Sequence, residues 1–145
     1  MRLSAKAEYA CIALMELAAT NDQPGPVRIR QIAGTQGIPE RFLVQILLAL
    51  KTVGLVESTR GAQGGYRLAR SPDQISLGEI VDAIDGRPAA HRPPADGNDQ
   101  ATPLARALFE IWCDVAKLER DYIDRTSLAD ILNRAQMADA PMYQI

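Results

Sequence analysis

Three glycines crowd the five residues from 61 to 65, and a run of strand-forming residues stands on each side of them. Upstream is Leu55-Val56-Glu57-Ser58-Thr59, and downstream is Tyr66-Arg67-Leu68-Ala69. Short runs of this kind around a glycine-rich turn read as a β-hairpin. The turn itself, Arg60-Gly61-Ala62-Gln63-Gly64-Gly65, lets a backbone lie close to a phosphate or in a narrow minor groove. Arg60 and Arg67 supply charge for such an approach. Two other readings compete: a plain hairpin with permissive glycines, and a phosphate-binding loop. The second fails because no Gly-Lys-Ser/Thr follows and the segment leads into a strand instead of a helix N-terminus. Tyr66 opens the second strand and is read as a core residue.

Helices precede the hairpin. Ser4 is a plausible N-cap for a helix to about Thr20, with Leu3, Ala7, Ala10, Cys11, Leu14, Met15 and Leu17 on one apolar face. Asn21 to Pro26 is a turn signal. Ile29 to about Gln36 is a second helix with Ile29, Ile32 and Ala33 inward. Gly37 breaks the chain, and Pro39 suits the first position of a third helix, Pro39 to Thr52. There Ile38, Phe42, Ile46 and Leu50 recur every four residues and, with Leu43 and Leu47, predict a buried stripe. Arg41, Val44, Gln45, Leu48 and Thr52 fall on the opposite face. Helix, tight turn, helix and hairpin make a winged helix-turn-helix. After it, Ser76 and Glu79 form a capping box that opens a helix through Ile84, closed by Gly86.

The composition changes at Arg87. Residues 87–102 hold prolines, alanines, Asp and Gly and read as a flexible linker loop. Thr102-Pro103 starts a long helix in which Leu104, Leu108, Ile111, Val115, Leu118 and Tyr122 are spaced 4, 3, 4, 3, 4. That is a heptad seam, flanked by Trp112, and it favours pairing with a second copy over packing on its own domain. Ser127 caps a short last helix with Leu128, Ile131 and Leu132. The expected organisation is a DNA-binding unit at 1–86, the linker at 87–102, a dimerisation unit at 103–136 and a frayed tail at 137–145. The fold class is mostly α with a small β-hairpin: a winged helix-turn-helix domain plus a long dimerisation helix.

Charge needs the same division. The chain totals 16 Lys and Arg against 18 Asp and Glu, a net −2, which taken whole speaks against a nucleic-acid binder. Residues 1–70 hold nine bases and five acids, hence +4; residues 71–145 hold seven and thirteen, hence −6. Such asymmetry implies two surfaces with different partners. Aromatics at 5% argue against stacking on single strands. Two cysteines about a hundred positions apart are no disulfide framework, which fits a reducing cytoplasm. No signal peptide is visible, and nothing approaches the ~20 apolar residues of a membrane span.

In this frame the third helix enters the major groove, with Pro39 and Glu40 at its start. Arg41 suits bidentate pairing with guanine and Gln45 with adenine, while Glu40 accepts from cytosine or repels a wrong phosphate register. Arg60 with Gly64 and Gly65 tracks the minor groove or backbone. Arg2, Lys6 and Arg28 are candidate phosphate contacts. Nothing points to catalysis: there are no paired carboxylates near a nucleophile, no metal-ligand spacing and one histidine.

The residues resemble a family. Met1-Arg2-Leu3-Ser4 with Lys6 and Tyr9 is similar to the opening of the Rrf2 (IscR/NsrR/CymR-type) bacterial winged-helix transcription regulators. So are Ile38 through Leu50, with Phe42-Leu43 and Gln45, and Gly54-Leu55-Val56 leading into the string from Arg60 to Ala69. Ser127-Leu128-Ala129-Asp130 matches as well. The likeness is strong over 1–86 and moderate over 103–132. It implies a homodimeric, cytoplasmic DNA-binding regulator, usually a repressor acting by operator occlusion. Some members bind an iron–sulfur cluster through three cysteines before the dimerisation helix; here residues 87–103 contain none, and His91 is alone. The expectation is a protein with no cofactor. Cluster-binding members often carry an acid just before the recognition-helix glutamine, where this chain has Val44, so their operator preferences do not transfer. Cys11 is read as core. Cys113 falls off the seam beside Asp114 and is a candidate redox thiol, though a bland partly exposed residue is the simpler reading. Two rivals remain: a winged-helix interaction module controlled by a metabolic enzyme partner, and a regulator switched by a thiol or a small molecule. The effector, a metabolite or a protein, is not named by the sequence.

Overall fold

The computed structural model describes residues 1–89 and 102–139. Its elements begin with local caps. The Ser4 hydroxyl accepts from the Ala7 N–H at 3.0 Å and starts α1 (Ala5–Ala19). α1 is the hub of the body: α2 (Ile29–Gln36), α3 (Glu40–Thr52), α4 (Leu77–Asp85) and α6 (Leu128–Asp139) all pack on it. Its buried face is Ala7, Ala10, Ala13, Leu14, Leu17 and Ala18, and four alanines let neighbours approach closely. Leu3, expected on that face, is exposed because it precedes the first helical turn.

Gly37 caps α2 with φ 66, a left-handed geometry glycine adopts without a Cβ penalty. The reversal returns the chain so that Leu43, Ile46, Leu47 and Leu50 of α3 enter the core. Two sequence expectations shift here. Pro39 is the N-cap and not the first helical residue. Phe42 is 50% exposed, whereas Ile38, Ile46 and Leu50 are buried. A spacing of four drifts about 40° per step on a helix of 3.6 residues per turn, so one end of such a row leaves the core face.

The hairpin pairs β1 (Val56–Thr59) with β2 (Gly65–Leu68), antiparallel, from Val56 opposite Leu68 to Thr59 opposite Gly65. Val27 adds a one-residue third strand: its N–H donates to Tyr66 at 2.8 Å, and the Tyr66 N–H donates back at 2.7 Å. A side chain at Gly64 would collide with the Thr59 carbonyl oxygen, and one at Gly65 with the Val27 carbonyl. These two glycines are therefore required by the packing of the wing itself.

A single 3-10 turn (Pro72–Gln74) leads to the capping box, in which the Glu79 N–H donates to Ser76 Oγ at 3.2 Å and the Ser76 N–H to Glu79 Oε2 at 3.1 Å. Ser127 and Asp130 repeat the device at α6. The two helix starts are tied together, with the Leu77 N–H donating to Thr126 at 2.9 Å and the Leu128 N–H to Ile75 at 3.0 Å. Leu128 is fully buried, so α6 belongs physically to the winged-helix body. It runs through Asp139, past the end expected at 136. Between α4 and α6 lies α5 (Pro103–Arg125), capped by Thr102 and packed on α4. Most of the expected linker, and the end of the expected tail, lie outside the described residues. Among the described residues no helix is long and apolar enough to cross a membrane.

Candidate nucleic-acid interface

Burying Leu43, Ile46, Leu47 and Leu50 forces the other side of α3 outward. Arg41, Val44, Gln45 and Leu48 form that exposed row, as the sequence predicts, with Glu40, Lys51 and Thr52 exposed at its ends. Pro39 accepts the Phe42 and Leu43 N–H groups at 3.1 Å and fixes where the helix begins. Beside α3 in the chain, the wing presents Arg60 and Arg67 as exposed residues, with Gly64 and Gly65 half-buried behind them.

Arg28 has a role that the sequence did not disclose. Its guanidinium donates to the Ala62 carbonyl at the wing tip, which straps the wing to the start of α2. Lys6 is exposed in the first turn of α1. Arg2 belongs to another group: it lines a cavity of about 650 Å³ with Asp85, Arg87, Cys113 and Lys117. Among the described residues, the only one of the nine bases in 1–70 that forms a salt bridge is Arg70, with Glu79 at 2.9 Å. The other eight have no carboxylate partner there, so phosphates can take that place without first breaking a pair.

The long helix shows two faces. Leu104, Leu108, Ile111, Trp112, Val115, Leu118 and Tyr122 are all exposed, from 84% at Leu104 to 41% at Val115. Phe109, Cys113, Ala116, Arg120 and Ile123 face the body and are buried or half-buried. Cys113 is thus on the inward face, lining the cavity. Arg120 clamps α5 to α4: Nη1 and Nη2 donate to Asp82 at 2.6 and 2.7 Å, and Nη2 also pairs with Asp124 at 2.8 Å. The hydrogen bonds from Arg120 hold the Asp82 carboxyl below its usual range. Gly78 keeps this clamp possible, since a Cβ there would strike the Asp124 carboxylate.

Comparisons with known proteins agree with this geometry. A family model described as "Rrf2: Iron-dependent Transcriptional regulator" matches residues 3–134. A putative HTH-type transcriptional regulator of Mycobacterium tuberculosis is 40% identical over 135 residues, covering 93% of this chain and 83% of that protein. Among solved structures, IscR of T. potens superposes with a TM-score of 0.78 at 32% identity, over 99% of this chain and 94% of that one. CymR of B. subtilis, described as a global cysteine regulator, gives 0.76 at 30% identity, over 92% and 98%.

The family description names iron, so the donor set can be tested. Clusters are held by four side-chain ligands, cysteine thiolates with histidines replacing at most two of them, and this chain has three such residues in all. Here there are two cysteines, on α1 and α5, both half-buried. Burial first, then the Asp85 and Glu8 charges, push the Cys11 thiol up to about 11, so it stays protonated at neutral pH. These residues do not fit an iron–sulfur cluster.

Proposed function

The chain belongs to the Rrf2 family of DNA-binding transcriptional regulators, and from that premise we propose that it works as a homodimer, represses by occluding its operator and carries no cluster. Its action is binding and not catalysis. The observation that carries the reading is the row of seven large apolar side chains exposed along one face of α5. A chain that leaves such a row in water loses the free energy of burying it, roughly 25 cal/mol per Å² of apolar surface. A second copy of the same row covers it by twofold symmetry.

The dimer then presents two α3 helices to DNA, with half-sites one helical turn or a multiple apart. In this reading Arg41 pairs with guanine and Gln45 with adenine, and Glu40 selects against a wrong base or register. Arg60 and the Gly64-Gly65 wing follow the minor groove or backbone. Lys6 contacts phosphate, and Arg28 does so while holding the wing. Arg2, set beside α5, contributes least. Repression follows because a dimer across a promoter excludes polymerase.

Selection of bound duplexes from a random library, with sedimentation of the complex, tests the reading. The expected result is a palindromic site bound by two chains, and lowered transcription from a promoter that contains it. A monomer on DNA, or a site without twofold symmetry, would overturn the dimer. An iron–sulfur absorption band in anaerobically purified protein would overturn the cluster-free state.

A further inference from the structure

The outward row of α3 is not uniformly polar. Arg41, Val44, Gln45 and Leu48 stand at i, i+3, i+4 and i+7, so all four share one face. Val44 is 40% exposed and Leu48 53% exposed, in the middle of the surface whose polar members suit base edges. The buried face of α3 does not need them, since Leu43, Ile46, Leu47 and Leu50 supply it. They lie on a different element from the α5 seam. Two branched aliphatic side chains therefore remain on the face offered to DNA. In the major groove, the one apolar group that distinguishes bases is the C5-methyl of thymine.

We infer that Val44 and Leu48 are specificity-determining residues that read thymine methyl groups, Val44 between the hydrogen-bonding reach of Arg41 and Gln45 and Leu48 about one turn beyond Gln45. This inference rests on the reading of α3 as the recognition helix. Half-sites should then carry thymines next to the bases read by Arg41 and Gln45. Polar bases lacking the methyl leave both side chains against water or unpaired polar edges, so discrimination works by loss as well as by gain.

The test replaces thymine by deoxyuridine, which removes the methyl and keeps the pairing edge. A site is first selected with the wild-type full-length protein. Its thymines are then replaced one at a time, and binding is measured at fixed salt. Loss of one buried methyl corresponds to about a fourfold weaker affinity per half-site. The penalty at the contacted thymine should vanish in Val44→Ser or in Leu48→Gln. Both positions are exposed, and an unchanged thermal transition shows that each variant is folded. Deoxyuridine duplexes that bind as tightly as the thymine duplex would overturn the inference while leaving the DNA-binding reading intact. So would a penalty that persists unchanged in both variants. A selection that enriches no sequence overturns both.

Discussion

α1 and α5 carry similar sequence signals and meet opposite fates. Each is a helix with apolar residues at helical spacing, 15 residues long in α1 and 23 in α5. α1 buries six side chains, while α5 buries only Ile123 and leaves seven large apolar side chains in water. Periodicity does not separate the two cases. What separates them is the supply of neighbours: α2, α3, α4, β2 and α6 surround α1, whereas α4 is the principal partner of α5. A stripe with five neighbouring elements in its own chain becomes core, and one whose helix packs chiefly on α4 stays exposed among the described residues.

The largest effects should come from putting charge on each stripe. Leu108→Glu with Val115→Glu should abolish the dimer at micromolar concentration and with it specific DNA binding, yet leave a folded monomer with its helical circular dichroism. Leu14→Glu places a carboxylate in a fully buried site and should prevent folding altogether. If the α5 double variant sedimented as a dimer, the contrast between the two helices would collapse. A milder pair sharpens the same comparison. Leu14→Ala should lower unfolding stability by about 2–5 kcal/mol, measured by urea titration. Leu118→Ala, at 69% exposure, should leave the stability of the monomeric double variant nearly unchanged.

The same contrast explains what could be read from the chain alone. Ser4, Ser76 with Glu79, and Ser127 are legible as caps because donor and acceptor lie three residues apart, while the return bond from the Ser127 N–H to Asp130 comes from the structure. The outward row Arg41, Val44, Gln45 and Leu48 was legible because one helix face fixes it. Phe42 was misplaced because a period of four is not the period of a helix. The strap from Arg28 to Ala62 spans 34 positions, and the clamp from Arg120 to Asp82 spans 38; no local pattern announces either. The sequence marks Gly64 and Gly65 as glycines that let DNA approach, while their packing against Thr59 and Val27 depends on the folded wing. The position of α6 on α1 was hidden for the same reason.

The Arg120 clamp joins the two regions, and pH tests it. Both Asp82 and Arg120 have mostly covered side chains, 27% and 21% exposed. The folded-state pKa of Asp82 is lowered from its ordinary 3.8, chiefly by the Arg120 hydrogen bonds. A depressed carboxylate pKa adds stability above the unfolded value, and that stability is lost as pH falls through the folded value. Wild-type protein should therefore lose roughly 1–2 kcal/mol of clamp stabilisation as pH drops below about 4, on the scale of charge-assisted hydrogen bonds. Asp82→Asn should be less stable at pH 7 and should lose less between pH 5 and pH 2. Equal pH profiles for the two proteins would show that the clamp does not couple α5 to the body.

The smallest effect concerns charge, where the two regions differ in sign. Lys6 lies in the basic half and Lys117 on α5 in the acidic half. If the body faces phosphate and α5 stays away, Lys6→Ala should weaken binding to every sequence by a similar small factor. It should also flatten the slope of log affinity against log salt by about 1.8 for the dimer, about 0.9 for the one lost phosphate contact in each half-site. Lys117→Ala should leave that slope unchanged. The net charge of −2 makes this comparison informative, because the acidic half opposes random DNA binding and the salt slope then reports contacts made by the basic face alone. Equal slopes for Lys6→Ala and the wild type would remove Lys6 from the interface, and a flattened slope for Lys117→Ala would bring α5 down onto the DNA.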